Sequence, residues 1–139
     1  MFKYNISSKE KKIIQKFNNS GFILFDIKNV NKLNKIKKEV EKIILKEFSK
    51  QRIKINQIDK KDILNSFHKY LSLSDLNRFR MNVYNYLNNK SWFLENYFEL
   101  ARDLIETICG NELAMQRKVN LSIQFPRDDS SLLPIHSDV

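Results

Sequence analysis

Apolar residues recur at helical spacing through most of the chain and switch to strict alternation near residue 118. The first block, SSKEKKIIQKFNNSG, sets Ser7 three residues before Glu10, the spacing of a capping box. Ile13, Ile14 and Phe17 share one face of the helix this predicts, and Gly21 supplies its stop. The short apolar run FILFDI, residues 22–27, predicts a buried strand. A long helix follows, capped by Asn29 or Asn31, with Val30, Leu33, Ile36, Val40, Ile43, Ile44 and Phe48 in one stripe and lysines on the wet side. After a polar connection at 49–58, Asp59 is placed to cap a helix carrying Ile63, Leu64, Phe67 and Leu71. Ser74 opens another, with Leu76, Phe79, Val83 and Leu87 on one face. Ser91 precedes WFLENYFELARDLIETICG, whose wide apolar arc predicts one helix ending at Gly110 and touching more than one neighbour.

The period then becomes two. Val119, Leu121, Ile123 and Phe125 alternate with Lys118, Asn120, Ser122 and Gln124 until Pro126, which predicts a strand with one face on a hydrophobic layer. Two short strands cannot satisfy each other's backbone groups as a sheet. The expectation is therefore an α+β fold, mainly helical, that leads into further strands and is truncated: a single partial domain over residues 1–139. Residues 1–114 are its helical part, with a short strand near 22–27, and 115–139 hold the first core strand.

Composition changes this picture only in places. An apolar content of 42% over 139 residues is enough for a core. No apolar run is long enough to span a bilayer, and MFKYNISSKEKK lacks the apolar segment of a secretory signal. Cys109 is the only cysteine, so an internal disulfide is excluded and a reducing, cytoplasmic setting is expected. Residues 1–61 hold seventeen Lys and Arg against six Asp and Glu, and residues 62–139 hold eight against ten, which accounts for the net charge of +9. The excess is Lys mixed with Asn and Ile, and a phosphate-gripping surface more often interleaves Arg with aromatics. A solvated face is expected, without nucleic acid. A small basic helical module that binds nucleic acid or a protein partner through residues 28–61 is the alternative.

The candidate chemistry lies in SSLLPIHSDV. His136 and Asp138 are two residues apart and share one side of an extended backbone. A neutral imidazole with a carboxylate is part of the two-histidine, one-carboxylate set that holds non-haem iron with open positions. Zinc accepts the same donors, although a closed zinc site takes four. His68 and Cys109 are the other candidates, both on predicted helices.

The segment MQRKVNLSIQFPRDDSSLLPIHSDV resembles the approach to the iron motif of Fe(II)/2-oxoglutarate-dependent oxygenases. It is most similar to the phytanoyl-CoA dioxygenase-like branch and to the oxygenases of sporadic bacterial carbohydrate-biosynthesis clusters. NNSGFILFDIKNVNKLNKI is similar to the opening of that branch. The resemblance implies a double-stranded β-helix of the jelly-roll or cupin-like kind, with helices on one outer face. It implies His136 and Asp138 as iron ligands, with 2-oxoglutarate as cosubstrate. The substrate would be a small molecule, a sugar or lipid-like, that is hydroxylated. Asn120 and Gln124, with Ser122, would then face the cosubstrate pocket. The distal histidine and the basic residue that pairs with 2-oxoglutarate have no counterpart here, so this stretch of chain is expected to be inactive alone. The oligomeric state is left open.

Overall fold

The computed structural model describes residues 6–53, 62–110 and 113–127. Helix α1 spans Ser8–Ser20, α2 Val30–Lys50, α3 Ile63–Ser66, α4 Leu76–Asn88, α5 Phe93–Phe98 and α6 Arg102–Cys109. Short 3-10 turns at Phe67–Lys69 and Leu73–Asp75 join α3 to α4.

The ends of α1 follow from local chemistry. The Ser7 hydroxyl accepts from the Glu10 amide at 3.2 Å, and the Glu10 carboxylate accepts from the Ser7 amide at 2.7 Å. Two amides at the helix start thereby gain partners. Gly21 closes the helix at φ 75°, a left-handed value that costs glycine little. Asn29 stands at the cap position of α2 but spends its side chain elsewhere, donating to the Glu99 carbonyl at 2.8 Å beyond the end of α5.

The core lies where α2, α3, α4 and α5 meet. Ile43, Ile44, Phe48, Ile63, Phe67, Leu71, Phe79, Val83, Leu87 and Phe93 are buried in it, and Val119 joins from the C-terminal segment. Phe67 bridges Phe79 and Phe125, with ring centroids 5.3 and 5.7 Å away. The spacing of Leu76, Phe79, Val83 and Leu87 along α4 is the helical stripe expected, and all four are buried.

Three expectations are corrected. Residues 22–27 are not a buried strand: Phe22, Leu24 and Phe25 are exposed, Leu24 at 82%, and no strand lies alongside among the described residues. An apolar run becomes a strand only when a neighbour takes its backbone hydrogen bonds. The arc from Trp92 to Ile108 is two helices, because α5 packs on α2 and α4 while α6 packs on α1. One straight rod could not meet both neighbours. The α+β expectation, with the first strands of a β-helix, fails as well. The described residues are helices and connecting segments with no strand, so no β-helix begins in them. The cap expected at Asp59 lies outside the described residues.

The lysines of α2 do more than wet its surface. Lys32 reaches Glu99 at 3.5 Å, Lys42 pairs with Glu39, Lys50 meets Glu47 at 3.3 Å, and Lys35 lies 4.0 Å above the Trp92 ring. Glu47 is buried to 4% exposure and also receives Arg78 at 3.4 Å and the Asn82 amide at 3.5 Å. Removing one partner of a buried ion group leaves an uncompensated charge, so this cluster ties α2 to α4 in one register. Arg78 is thereby part of the helix interface.

Two measurements test this core. Phe48→Ala should cost about 3–5 kcal/mol in urea unfolding, the range for a fully buried aromatic. Phe17→Ala on α1, which buries no residue fully, should cost less than half of that. The second concerns pH. The Lys42 ammonium beside Glu39 holds its carboxyl below the ordinary value, against burial that pushes it up, and the Tyr86 hydroxyl at 3.1 Å adds to the lowering. A depressed carboxyl stabilises the fold above its unfolded pKa, and that contribution is lost as pH falls through the folded value. Stability should therefore drop on acidification, and Glu39→Gln should flatten part of that drop in urea unfolding followed against pH.

Candidate functional site

Residues 119–125 run extended beside α4, and their backbone is held by side chains instead of a neighbouring strand. The carboxamide of Asn88 accepts from the Val119 amide at 2.8 Å and donates to the Val119 carbonyl at 3.0 Å. It thus presents the donor and acceptor that a facing peptide would present in a ladder. Eight residues earlier on the same face of α4, Arg80 Nε donates to the Ile123 carbonyl at 2.6 Å. Eight helical residues rise about 12 Å, and four extended residues rise about 13 Å. The two spacings match, and the segment runs antiparallel to α4.

This anchoring settles which way the side chains point. Val119 is buried at 6% exposure, and Leu121, Ile123 and Phe125 pack partly buried on the core. Asn120, Ser122 and Gln124 are exposed on the opposite face. The expected orientation, apolar row on the helices and polar row away from them, is what the structure has. What it lacks is the ladder.

The other candidates sit apart. His68, in the turn after α3, is partly buried with its ring 6.3 Å from that of Phe125, so it abuts the far end of the extended segment. Cys109 is exposed at the end of α6. His136 and Asp138 lie outside the described residues. Among the described residues no group of three or more His, Cys, Asp or Glu is placed to hold a metal. No described helix is long and apolar enough to cross a membrane.

Open clefts lie elsewhere among the described residues. One, of about 270 Å³, lies between α2 and α4, and its acid Glu47 is already neutralised by Lys50 and Arg78. A larger one, of about 960 Å³, opens between α1, residues 25–29 and α6. It is lined by acids and bases in mixture, and Lys28 and Asp103 close on each other at 2.7 Å within it.

Asn88 and Arg80 were not legible as site residues. Both read as outer polar positions of an amphipathic helix, and the only signal was their spacing of eight on one face. That spacing acquires meaning once an extended segment is known to lie alongside.

Compared with family models, curated proteins and solved structures, the chain matches none.

Asn88→Ala should release the segment at its buried end. The Val119 amide and carbonyl would be left without partners, at a cost of about 1–3 kcal/mol for each buried unsatisfied group. Hydrogen exchange should show the Val119 amide losing protection while the amides of α2 keep theirs.

Proposed function

We propose that the chain carries part of a non-haem Fe(II)/2-oxoglutarate-dependent oxygenase acting on a small molecule, sugar or lipid-like, with His136 and Asp138 as metal ligands. The observation that supports this reading is the orientation of residues 119–125. Their apolar row lies on the helices, as the family resemblance of 115–139 implies, and Asn120, Ser122 and Gln124 are exposed on the other face. The reading does not rest on a β-helix within this chain.

The donor set fits the metal in kind. An imidazole and a carboxylate are two of the three donors of the facial set that leaves positions open on iron. A third donor is not grouped with others among the described residues. Bound iron would supply the site at which oxidative decarboxylation of 2-oxoglutarate is coupled to hydroxylation of a C–H bond. The chain's own residues hold and orient. Asn88 and Arg80 fix the segment on α4, which puts the amides of Asn120 and Gln124 on one face, about 13 Å apart along the backbone. A carboxamide there can donate to a cosubstrate carboxylate. The runner-up, a basic module for nucleic acid, has less to draw on. Lys32, Lys35, Lys42 and Lys50 already have partners within the fold.

Co(II) titration followed by visible absorption tests the ligands without requiring turnover. The chain should bind weakly, and His136→Ala or Asp138→Ala should weaken binding by more than about tenfold, the smaller loss typical of even an outer-shell partner. His68→Ala should leave it unchanged. Added 2-oxoglutarate should perturb the Co(II) spectrum, and the double change Asn120→Leu, Gln124→Leu should remove that response. Equal binding by the chain and its His136→Ala variant would sink the assignment.

A further inference from the structure

Phe22, Leu24, Phe25 and Val30 are all exposed, Leu24 at 82% and Phe22 at 60%. Single exposed apolar side chains are ordinary, but several gathered in one short stretch mark a surface that meets something. What lies beside them follows from α1. Lys9, Lys12, Lys16 and Ser20 share one face of that helix by their spacing. The Ser20 hydroxyl donates to the Lys16 carbonyl at 2.6 Å, and the Phe22 carbonyl lies 3.0 Å from the same hydroxyl oxygen. The apolar run therefore leaves α1 beside Lys16. By Phe25 it has come back to the cleft it shares with Lys9 and Ile13, so it lies along the lysine-bearing side of α1.

These lysines are available. Lys9, Lys12 and Lys16 are exposed, and among the described residues no ion pair engages Lys12 or Lys16. Two nearby acids are already occupied, Glu10 in the cap with Ser7 and Asp103 with Lys28. Asp26 is exposed too, but it lines the cleft.

We propose that Phe22 and Leu24, with the lysine face of α1, dock on an anionic membrane surface. The apolar side chains enter the headgroup layer and the lysines meet acidic headgroups. This docking is peripheral and stands apart from the iron reading. Lysines beside Phe and Leu are the pattern of segments that lie on a bilayer. The cations of residues 6–30 are all lysine, with no arginine. Arginine's planar fork suits discrete carboxylates at a protein interface, whereas lysine is a point charge on a long stem. Such a stem can lie along apolar surface while its ammonium reaches a diffuse negative sheet. A second copy seated on this face would set lysine against lysine, and like charges brought together across an interface oppose it.

Co-flotation of the full chain with lipid vesicles tests this docking. The chain should float with vesicles of mixed phosphatidylcholine and phosphatidylserine at low salt, where surface charges are least screened, and stay behind with phosphatidylcholine alone. Lys12→Gln combined with Lys16→Gln should weaken binding by at least about tenfold, since each lysine near an anionic surface is worth roughly fivefold. Phe22→Ser combined with Leu24→Ser should cost a similar factor, about tenfold, through lost apolar burial. All four side chains lie in solvent, so the far-UV spectrum should not change. If the serine variant nevertheless loses its fold, the lysine pair and the lipid comparison decide between them. Lys37→Gln with Lys38→Gln removes the same charge from exposed positions of α2 and should weaken binding far less. An equal loss from that pair overturns the proposal, because overall charge alone would then explain the binding. Absence of binding to the mixed vesicles overturns it, as does equal binding to phosphatidylcholine alone. So does a dimer in solution that Leu24→Ser dissolves, since a second copy would then cover the run.

Discussion

A carboxamide on a helix stands in for a strand. Asn88 takes both the donor and the acceptor of Val119, so the C-terminal extended segment is tied down where a sheet would otherwise be required. Everything else about that segment depends on this bond pair. It sets Val119 into the core, it puts Leu121, Ile123 and Phe125 on the same side, and it leaves the polar row and one backbone edge facing outward. The constraint behind it is general, since a buried amide or carbonyl without a partner costs free energy comparable to a lost hydrogen bond. Arg80 holds the Ile123 carbonyl in turn, and the near-equality of eight helical residues with four extended ones lets a single helix face serve both points.

The helices beneath hold that arrangement by two kinds of force. Phe48, Phe79 and Phe93 are each almost fully buried and are the largest side chains so removed from water. The buried carboxylate of Glu47, shared among Lys50, Arg78 and Asn82, adds direction more than strength. Aromatic packing tolerates small slides, whereas a buried acid with three polar partners does not. By contrast α1 and α6 bury no residue fully, and the adjoining run at 22–27 leaves Phe22, Leu24 and Phe25 in solvent. The molecule is thus unevenly consolidated, firm from α2 through the extended segment and thinly packed at α1 and α6.

Much of this was legible from spacing alone. The capping box at Ser7, the stop at Gly21, the α4 stripe and the alternation from 118 to 125 are each set by residues close in sequence, so reading them needs no knowledge of neighbours. The misreadings share one cause. FILFDI carries the composition of a buried strand, yet burial and pairing are supplied by other segments, and none comes to it among the described residues. The arc from Trp92 to Ile108 has the period of one helix, yet its two halves answer to different partners. Helical position alone does not disclose that Arg78 meets a buried Glu47 or that Arg80 reaches a carbonyl across the groove. The candidate site was legible in part. The outward row of Asn120, Ser122 and Gln124 follows from alternation, while the residues that hold it in place lie more than thirty positions away.

By itself the sequence determined where α1 begins and ends, which residues prefer the interior, and that 119–125 presents two unlike faces. These are properties of local sterics, capping and side-chain transfer from water, all carried within a few residues. Only the tertiary structure decided that the extended segment would pair with a helix and not with a strand, because hydrogen-bond partners are chosen by what lies close in space. The alternating pattern asked for partners on both edges of the backbone; the fold provided them on one, through the side chains of Asn88 and Arg80.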